Sequence, residues 1–589
     1  MKIIKTLSLS LLLSLLMFSD VFAEGDENGL IEKKPLIAGE KITLNITGIQ
    51  EPYEVKWFVN DVENTANVKD DNTFLLEESM YENWIRVEVT SNSNVYNDKV
   101  YFSKLPVIYI DTENGVDVVS KEEYINSNIF IQGNKLYGNQ YDGEAKIKGR
   151  GNTSWYMPKK PYKIKLDSKA DLFGFGKNKH WVLLANYTDN SLLRNKTAYD
   201  MSNELGLVSM ESTWVDVIFN GEYAGDYQLC EHIRIDKNRV DIENIEDLVE
   251  EIGNSIFDNN KNDFNDDADQ RDELIEEMCE NFSWIDSGIV LYNEKSYHVV
   301  DYYDKDIDIT NGYLFELSDE YDEVSKFLTN KGMKVMINSP EYAFSSEKMQ
   351  NYCVDLWNDF EEACSSKNGF NAKGQHYSEI GDMDSMVSYL LLNELFGNFD
   401  AYYKSRYAYI GDNKKINFGP VWDFDYSSGN YTVSNWPDTW MLSFGLPYRY
   451  WLSKPDFCEL LYDKYWEYRD LFYSYISDGG EIDKSIEYIY ESGIANEKRW
   501  NGEVSFKEDT EILKSYLKNR LDWLDKQFSD KESSVRKLSL YSTLYYVAFF
   551  FIEYETFTII LAVVIALIVA LLLINLIKRI KKRRKKRTS

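Results

Sequence analysis

Three acids, Asp400, Asp423 and Asp425, stand among large aromatic residues in the stretch NFDAYYKSRYAYIGDNKKINFGPVWDFDYSSGN, residues 398–430. The segments KSRYAYI and KINFGPVWDFD have strand character, and GDNK between them is a turn signal. The stretch therefore reads as a hairpin, with Asp400 before its first strand and Asp423 at the end of its second. Two carboxylates brought to one end of a hairpin repel when both are ionised, unless a cation or strong donors lie between them. Magnesium takes one or two carboxylates and fills its other positions with water and phosphate oxygens, and phosphoryl transfer also needs a carboxylate near the incoming hydroxyl. On that chemistry Asp423 binds metal and Asp400 is the base. Asp425 either turns inward to help or is a solvated acid. The plainer alternative for all three is a turn aspartate that accepts backbone hydrogen bonds.

A second cluster lies upstream, in KIKGRGNTSWYMPKKPYKIKLD, residues 146–167. It gathers Lys146, Lys148, Arg150, Lys159, Lys160, Lys163 and Lys165 in a chain whose formal net charge is −33. Alternation in KPYKIKL puts Lys163 and Lys165 on one strand face and Tyr162, Ile164 and Leu166 on the other. The basic face is either a clamp for phosphate, with Gly149 and Gly151 allowing close approach, or a solvated strand face.

These residues need a scaffold, and 589 residues supply roughly two to four domains of ~150 residues. With 44% hydrophobic and 15% aromatic residues the chain can bury a core. Its acidity repels a phosphate backbone, which makes nucleic acid a poor partner and cationic proteins a better one. Five cysteines without a C-x-x-C pair argue against a disulfide framework, and four histidines give little support to a zinc site. Residues 1–23 have a basic start, an apolar run and a small residue at Ala23, as a secretory signal peptide does. Residues 557–577 are an uncharged apolar run long enough to span a bilayer, and the basic tail 578–589 follows at once. Together they predict a single-pass cell-membrane protein with an extracytoplasmic body and a cytoplasmic tail.

Between these ends, residues 24–105 hold short alternating runs such as YEVKWFVND and NWIRVEVTS, which suggest an Ig-like β-sandwich. From 106 to 530 strand-rich segments precede helix-period ones, an α+β order. Stripes in LLYDKYWEYRDLFYSYI and ILKSYLKNRLDWLDKQF predict core-facing helices within 456–528. An acidic stretch at about 243–280 lacks the glycine and closing Glu of a calcium loop and reads as a solvated insertion. Residues 531–556 link this body to the apolar run.

The ordered succession IKGRGNTSW, PKKPYKIKL, LFGFGKNKHWVLLANYTDNSLLRNKTAYDMSNELGL, VDVIFNGEYAGDYQLCEHI, NGYLFEL, LNELFGNFDAYYKSRYAYI and GPVWDFD resembles the spore-coat kinase CotH family from about residue 106 to 528. The resemblance implies an atypical protein-kinase-like fold that uses ATP with Mg²⁺ or Mn²⁺ to phosphorylate Ser or Thr hydroxyls of secreted or surface proteins. It places the catalytic Asp at Asp400 and the metal-binding Asp at Asp423. Lys160 becomes the phosphate-contacting lysine with Arg150 and Lys165 as helpers, and Glu231 orients it. The family usually keeps an Asn five residues after the catalytic Asp, where this chain has Ser405, a shorter and weaker metal ligand. That departure leaves open a rival from another class: a non-catalytic surface adhesion or assembly protein that binds cationic partners. A third reading keeps the same residues and moves the acceptor hydroxyl to a glycan or cell wall. Oligomeric state is not legible.

Overall fold

The computed structural model describes residues 29–540, apart from 70, 71, 433, 443, 444, 501 and 503. The chain divides into two compact units. The first runs through Leu192 and takes in Glu211–His232 and Lys484–Glu508; the second holds Leu193–Met210, Ile233–Asp483 and the residues from Asp509 on.

The first unit is built on a closed barrel of seven strands. Around the barrel they run Tyr162–Asp171, Lys177–Leu184, Glu222–Glu231, Ser212–Phe219, Val107–Thr112, Ile125–Gln132 and Tyr141–Gly149, and the last pairs with the first. All pairings are antiparallel except that of Val107–Thr112 with Ser212–Phe219. Period-two alternation fills the interior. Each strand sends alternate residues inward, including Ile108 and Ile110, Ile129 and Ile131, Ile164 and Leu166, Trp181 and Leu183, Val215 and Val217, and Tyr227 and Leu229. Lys165 accordingly faces outward, directly across from Lys146 on the neighbouring strand.

Ahead of the barrel, the expected Ig-like sandwich is corrected. The described residues form one four-stranded antiparallel sheet (Val62–Glu63, Tyr53–Val59, Asn83–Ser91, Asn94–Phe102) and a separate two-stranded ladder, Lys41–Ile42 with Phe74–Leu75. An Ig-like sandwich needs about seven strands in two packed sheets. This segment supplies six strands, three of them only two residues long.

In the second unit a five-stranded antiparallel sheet has the order Ser325–Leu328, Lys334–Ser339, Tyr313–Leu317, Arg406–Ile410, Ile416–Phe418. The helix Met383–Phe396 is buried along its whole length from Met386 on, as an all-round apolar sequence requires. Asp382 caps its start, accepting from Ser385 N, and Gly397 ends it at φ +58°, a left-handed position that suits glycine. Buried Glu394 ties this helix down: its carboxylate accepts from the Met441 and Leu442 amides and pairs with Arg520 at 2.7 Å. Of the long C-terminal helices, Pro455–Ile476 and nearly all of Phe506–Gln527 belong to this unit, in line with the aromatic stripes of the sequence, and Glu481–Trp500 belongs mainly to the first. The acidic stretch is more ordered than a solvated insertion: helices Ile245–Asn259 and Ala268–Glu280 bury Ile252, Ile256, Leu274 and Met278, and the 3-10 turn Lys261–Phe264 between them buries Phe264.

The architecture is thus mixed α+β with a seven-stranded barrel, and the expected fold is corrected to one in which no described helix spans a membrane, so the single-pass location has no support among the described residues. Among the described residues no helix is long and apolar enough to cross a membrane. Pro455–Ile476 and Phe506–Gln527 have the length, at 22 residues each, but carry Asp, Glu, Lys and Arg throughout. The signal peptide at 1–23, the apolar run at 557–577 and the basic tail lie outside the described residues.

Candidate active site

The buried helix Met383–Phe396 delivers the chain to Asn398 and Asp400. Asn398 Oδ1 accepts from the Asp400 amide at 3.1 Å, and its own side-chain amide donates to Asn393 Oδ1 at 3.0 Å. A single 3-10 turn, Asp400–Tyr402, follows, and then strand Arg406–Ile410 pairs with Ile416–Phe418. The expected hairpin is there, with its turn at residues 411–415. Beyond it Trp422 stacks on Tyr199 with centroids 5.4 Å apart, and Phe424 packs edge-on against Phe396 at 5.3 Å. The Phe424 amide donates to Asn195 Oδ1 at 2.7 Å. The aromatic residues beside the acids therefore anchor the backbone on both sides of Asp423, which itself holds left-handed φ of +67°. A non-glycine residue in that region costs free energy that the surrounding packing must offset.

The outcome is that Asp400, Asp423 and Asp425 converge, each with a carboxylate oxygen within 4.8 Å of the others. Asp400 is buried at 2% exposure. Lys404 reaches between two of the acids, its Nζ 3.4 Å from Asp400 Oδ2 and 3.8 Å from Asp423 Oδ2. Ser405 Oγ donates to Asp423 Oδ2 at 3.0 Å, and the Tyr403 hydroxyl donates to Asp400 Oδ1 at 3.2 Å. Burial, and then the charge of Asp423, push the Asp400 carboxyl up to about 6, against the pull of Lys404 and Tyr403. For Lys404 burial works against the charged form, but Asp423 and Asp400 outweigh it and raise the ammonium above its ordinary range. Burial and the neighbouring Asp400 move Tyr403 up to about 12. Asp400 is thus a carboxylate near the foot of its titration at neutral pH, next to a hydroxyl it already accepts from. The set also fits a divalent cation: it is all oxygen, it carries three carboxylates, and Asp400 Oδ2 is buried and accepts no hydrogen bond.

Ser405 joins the acids, although its hydroxyl is spent on orienting Asp423. The residues expected to clamp phosphate lie in the barrel unit and are engaged there in other ways. Lys160 donates to the Trp155 carbonyl at 2.7 Å and lies over the Trp155 ring. Lys165 lines a cavity of about 670 Å³ with Lys146, Lys179, Asp111 and Asp167. Glu231 ends a barrel strand, where its carboxylate accepts from the Glu211 amide at 3.0 Å, so it does not sit on a helix as a kinase Glu would. Arg150 stands in the turn after Tyr141–Gly149, with its amide bonded to the Pro161 carbonyl. The two glycines of that turn serve the chain itself: a Cβ on Gly149 would strike the Trp155 ring, and one on Gly151, at φ +79°, would strike Ser154 Oγ.

A family model described as CotH kinase protein matches residues 147–315 and 294–524, more than half of the chain. The chain belongs to the CotH kinase family. No curated protein matches it. Membership makes it kinase-like, a transferase at the family level, and implies ATP and a divalent metal in general terms. The match begins well after residue 106, inside the barrel strand Tyr141–Gly149, and ends within the last long helix.

Reading by residue type missed two contributors in this CotH-family site and one outside it. Lys404 and Tyr403 touch the acids but follow no strand or helix period, since they sit in the irregular turn after Asp400. The only signal was proximity in sequence. In the barrel unit the buried lysine is Lys159, at 1% exposure, whose Nζ donates to the Asp226 carbonyl and, at 2.8 Å, to Asn496 Oδ1. Ser492 bridges the Asp216 and Asp226 carboxylates nearby, at 2.7 and 2.9 Å. Burial lowers Lys159 to about 7, against the charges of Asp226 and Asp216.

Proposed function

We propose that this CotH-family protein transfers the γ-phosphoryl group of ATP to Ser or Thr hydroxyls of protein acceptors, with secreted or surface proteins as the acceptor class. The observation that carries the proposal is the convergence of Asp400, Asp423 and Asp425 within 4.8 Å beside a hydroxyl that Asp400 already accepts. Asp400, ionised above about pH 6, takes the proton of the incoming hydroxyl. Asp423 and Asp425 are the residues to hold Mg²⁺ or Mn²⁺, which when bound would neutralise charge on the phosphoryl oxygens. Ser405 fixes the rotamer of Asp423 through its 3.0 Å hydrogen bond. Lys404 offsets the mutual repulsion of Asp400 and Asp423 and leaves a cation at the place where negative charge gathers. For the phosphate-contacting role Lys160 remains our choice, with Arg150 and Lys165 as helpers and Glu231 as orienting acid.

The test is incubation of the protein with γ-labelled ATP, Mg²⁺ or Mn²⁺ and a generic basic protein, beside D423A. Label on serine or threonine of the acceptor that depends on Asp423 supports the proposal. A protein that binds nucleotide but labels nothing would overturn it and favour the non-catalytic assembly reading, to which Ser405 in place of Asn lends its only support.

A further inference from the structure

In a phosphoryl-transfer site the base carboxylate holds the acceptor hydroxyl. Here that place is already taken by the chain itself. The Tyr403 hydroxyl donates to Asp400 Oδ1 at 3.2 Å, and Asp400 lies within 4.8 Å of the two acids suited to hold the metal that binds the donor phosphates. The phenol is also well fixed. Its ring packs against Phe399 with centroids 5.5 Å apart, the Lys404 ammonium lies 5.8 Å from its centroid, its amide donates to the Asp400 carbonyl at 3.0 Å, and its carbonyl accepts from the Asp319 amide at 2.8 Å. The residue is only half-buried. Nothing in the packing requires an oxygen at this position. A phenylalanine would make the same ring contacts, and the hydroxyl has no other partner than Asp400 among the described residues.

We infer that Tyr403 is a self-acceptor, phosphorylated in cis by the site that contains it. The inference rests on the kinase reading of Asp400. In the step, Tyr403 Oη attacks the γ-phosphorus of ATP, the Oη–P bond forms, and the bond from the γ-phosphorus to the β,γ-bridging oxygen breaks, its electrons leaving with ADP. The phenolic proton passes to Asp400 Oδ1 along the existing hydrogen bond and is later released to solvent. Positioning of acceptor and base in one turn of one chain replaces a bimolecular encounter by an intramolecular one, which is worth a large effective concentration. The product carries about −1.5 to −2 charges beside Lys404, which is placed to pair with them. It also occupies the acceptor position, so self-phosphorylation limits itself to one phosphate and competes with transfer to external hydroxyls.

The full chain is incubated with ATP and Mn²⁺ or Mg²⁺, with and without an added basic protein, and the phosphate is located by peptide mass spectrometry. The expected result is one phosphate, on Tyr403, formed at a fractional rate that does not change over a tenfold range of protein concentration. Y403F, checked for an unchanged unfolding transition, lowers the ratio of self-label to external transfer at least tenfold. External transfer with Tyr403 unmodified overturns the self-acceptor inference and leaves the kinase reading standing. A self-label whose fractional rate scales with protein concentration, or one that survives intact in Y403F, overturns it likewise. Nucleotide binding with no transfer to any acceptor overturns both.

Discussion

Ser405 Oγ donates a 3.0 Å hydrogen bond to Asp423 Oδ2, and both residues hold left-handed backbone, at φ +53° and +67°. The position five residues after Asp400, where kinases place a metal-binding amide, is therefore used here to steer Asp423, the residue proposed to hold the metal. Both halves of that statement bear on what an asparagine would do. Asn tolerates left-handed φ better than Ser, because its short amide bonds locally, and its carbonyl adds a metal-binding oxygen. S405N should then bind Mn²⁺ about three- to tenfold more tightly, roughly 0.7–1.4 kcal/mol, with an unfolding midpoint no lower than the parent's. A Mn²⁺ titration followed by electron paramagnetic resonance and a thermal melt check both parts. Weaker binding in S405N would mean that the Ser405 contact matters more than an added ligand.

Lys404 makes the next prediction, because it is the cation that now separates Asp400 from Asp423. K404M leaves two carboxylates facing one another. The metal-free variant should be less stable than the parent by about 1–3 kcal/mol at pH 7.5, the usual cost of stranding a partly buried charged group. Divalent cation should restore more stability to K404M than it gives the parent, since the ion takes over the charge compensation. Urea unfolding in chelator and in millimolar Mn²⁺ tests this; equal stabilisation of both proteins would show that Lys404 does not share its place with the metal.

The raised Asp400 pKa gives a pH dependence with a definite sign. Its folded value of about 6 lies above the ordinary 3.8, so the folded state holds the proton more tightly than the unfolded one. Its contribution to stability is present in full below pH ~4 and is lost as pH rises through ~6. In chelator, D400N should therefore match the parent below pH 4 and exceed it by about 1–3 kcal/mol at pH 8. Transfer activity should run the other way, rising with pH through about 6 and levelling above 7 as Asp400 ionises. Parallel melts across pH 3.5–8 check the first statement, and a kcat/KM profile the second.

How much of this was legible can be judged from single residues. The hairpin that brings Asp400 towards Asp423 was, because alternation in KSRYAYI and the turn GDNK are local signals. The inward turn of Asp425 was not, since it follows from the left-handed conformation of Asp423 and the anchoring of Trp422 and Phe424 on Tyr199 and Phe396, far away in sequence. Most barrel strands fall in segments legible as strand-rich, though Ile125–Gln132 was not singled out, and closure depends on Val107–Thr112 lying parallel to Ser212–Phe219, a pairing about a hundred residues apart that no local pattern encodes. The α+β order was readable for the same reason the strands were, whereas the runs behind the expected sandwich, YEVKWFVND and NWIRVEVTS, pair within one sheet, a non-local choice that alternation does not reveal.

The choice between Lys159 and Lys160 shows where type and spacing run out, and it yields the last prediction. The two are adjacent in a loop without periodicity, and sequence favoured Lys160. The structure makes them physically different. Lys159 is buried among Asp226, Asn496 and the Ser492-bridged Asp216, and one Asp226 oxygen has no hydrogen-bond partner. Lys160 is half-exposed and caps the Trp155 carbonyl. Removing one partner from a buried charged cluster leaves the others uncompensated, so K159M should cost about 3 kcal/mol or more of stability, and K160M about 1 or less. If Lys160 contacts phosphate, K160M should nonetheless lose nucleotide affinity at least tenfold. Urea unfolding and a fluorescent-nucleotide titration of both variants separate the cases. A K160M protein that binds nucleotide as the parent does would move the phosphate-contacting role to another cation.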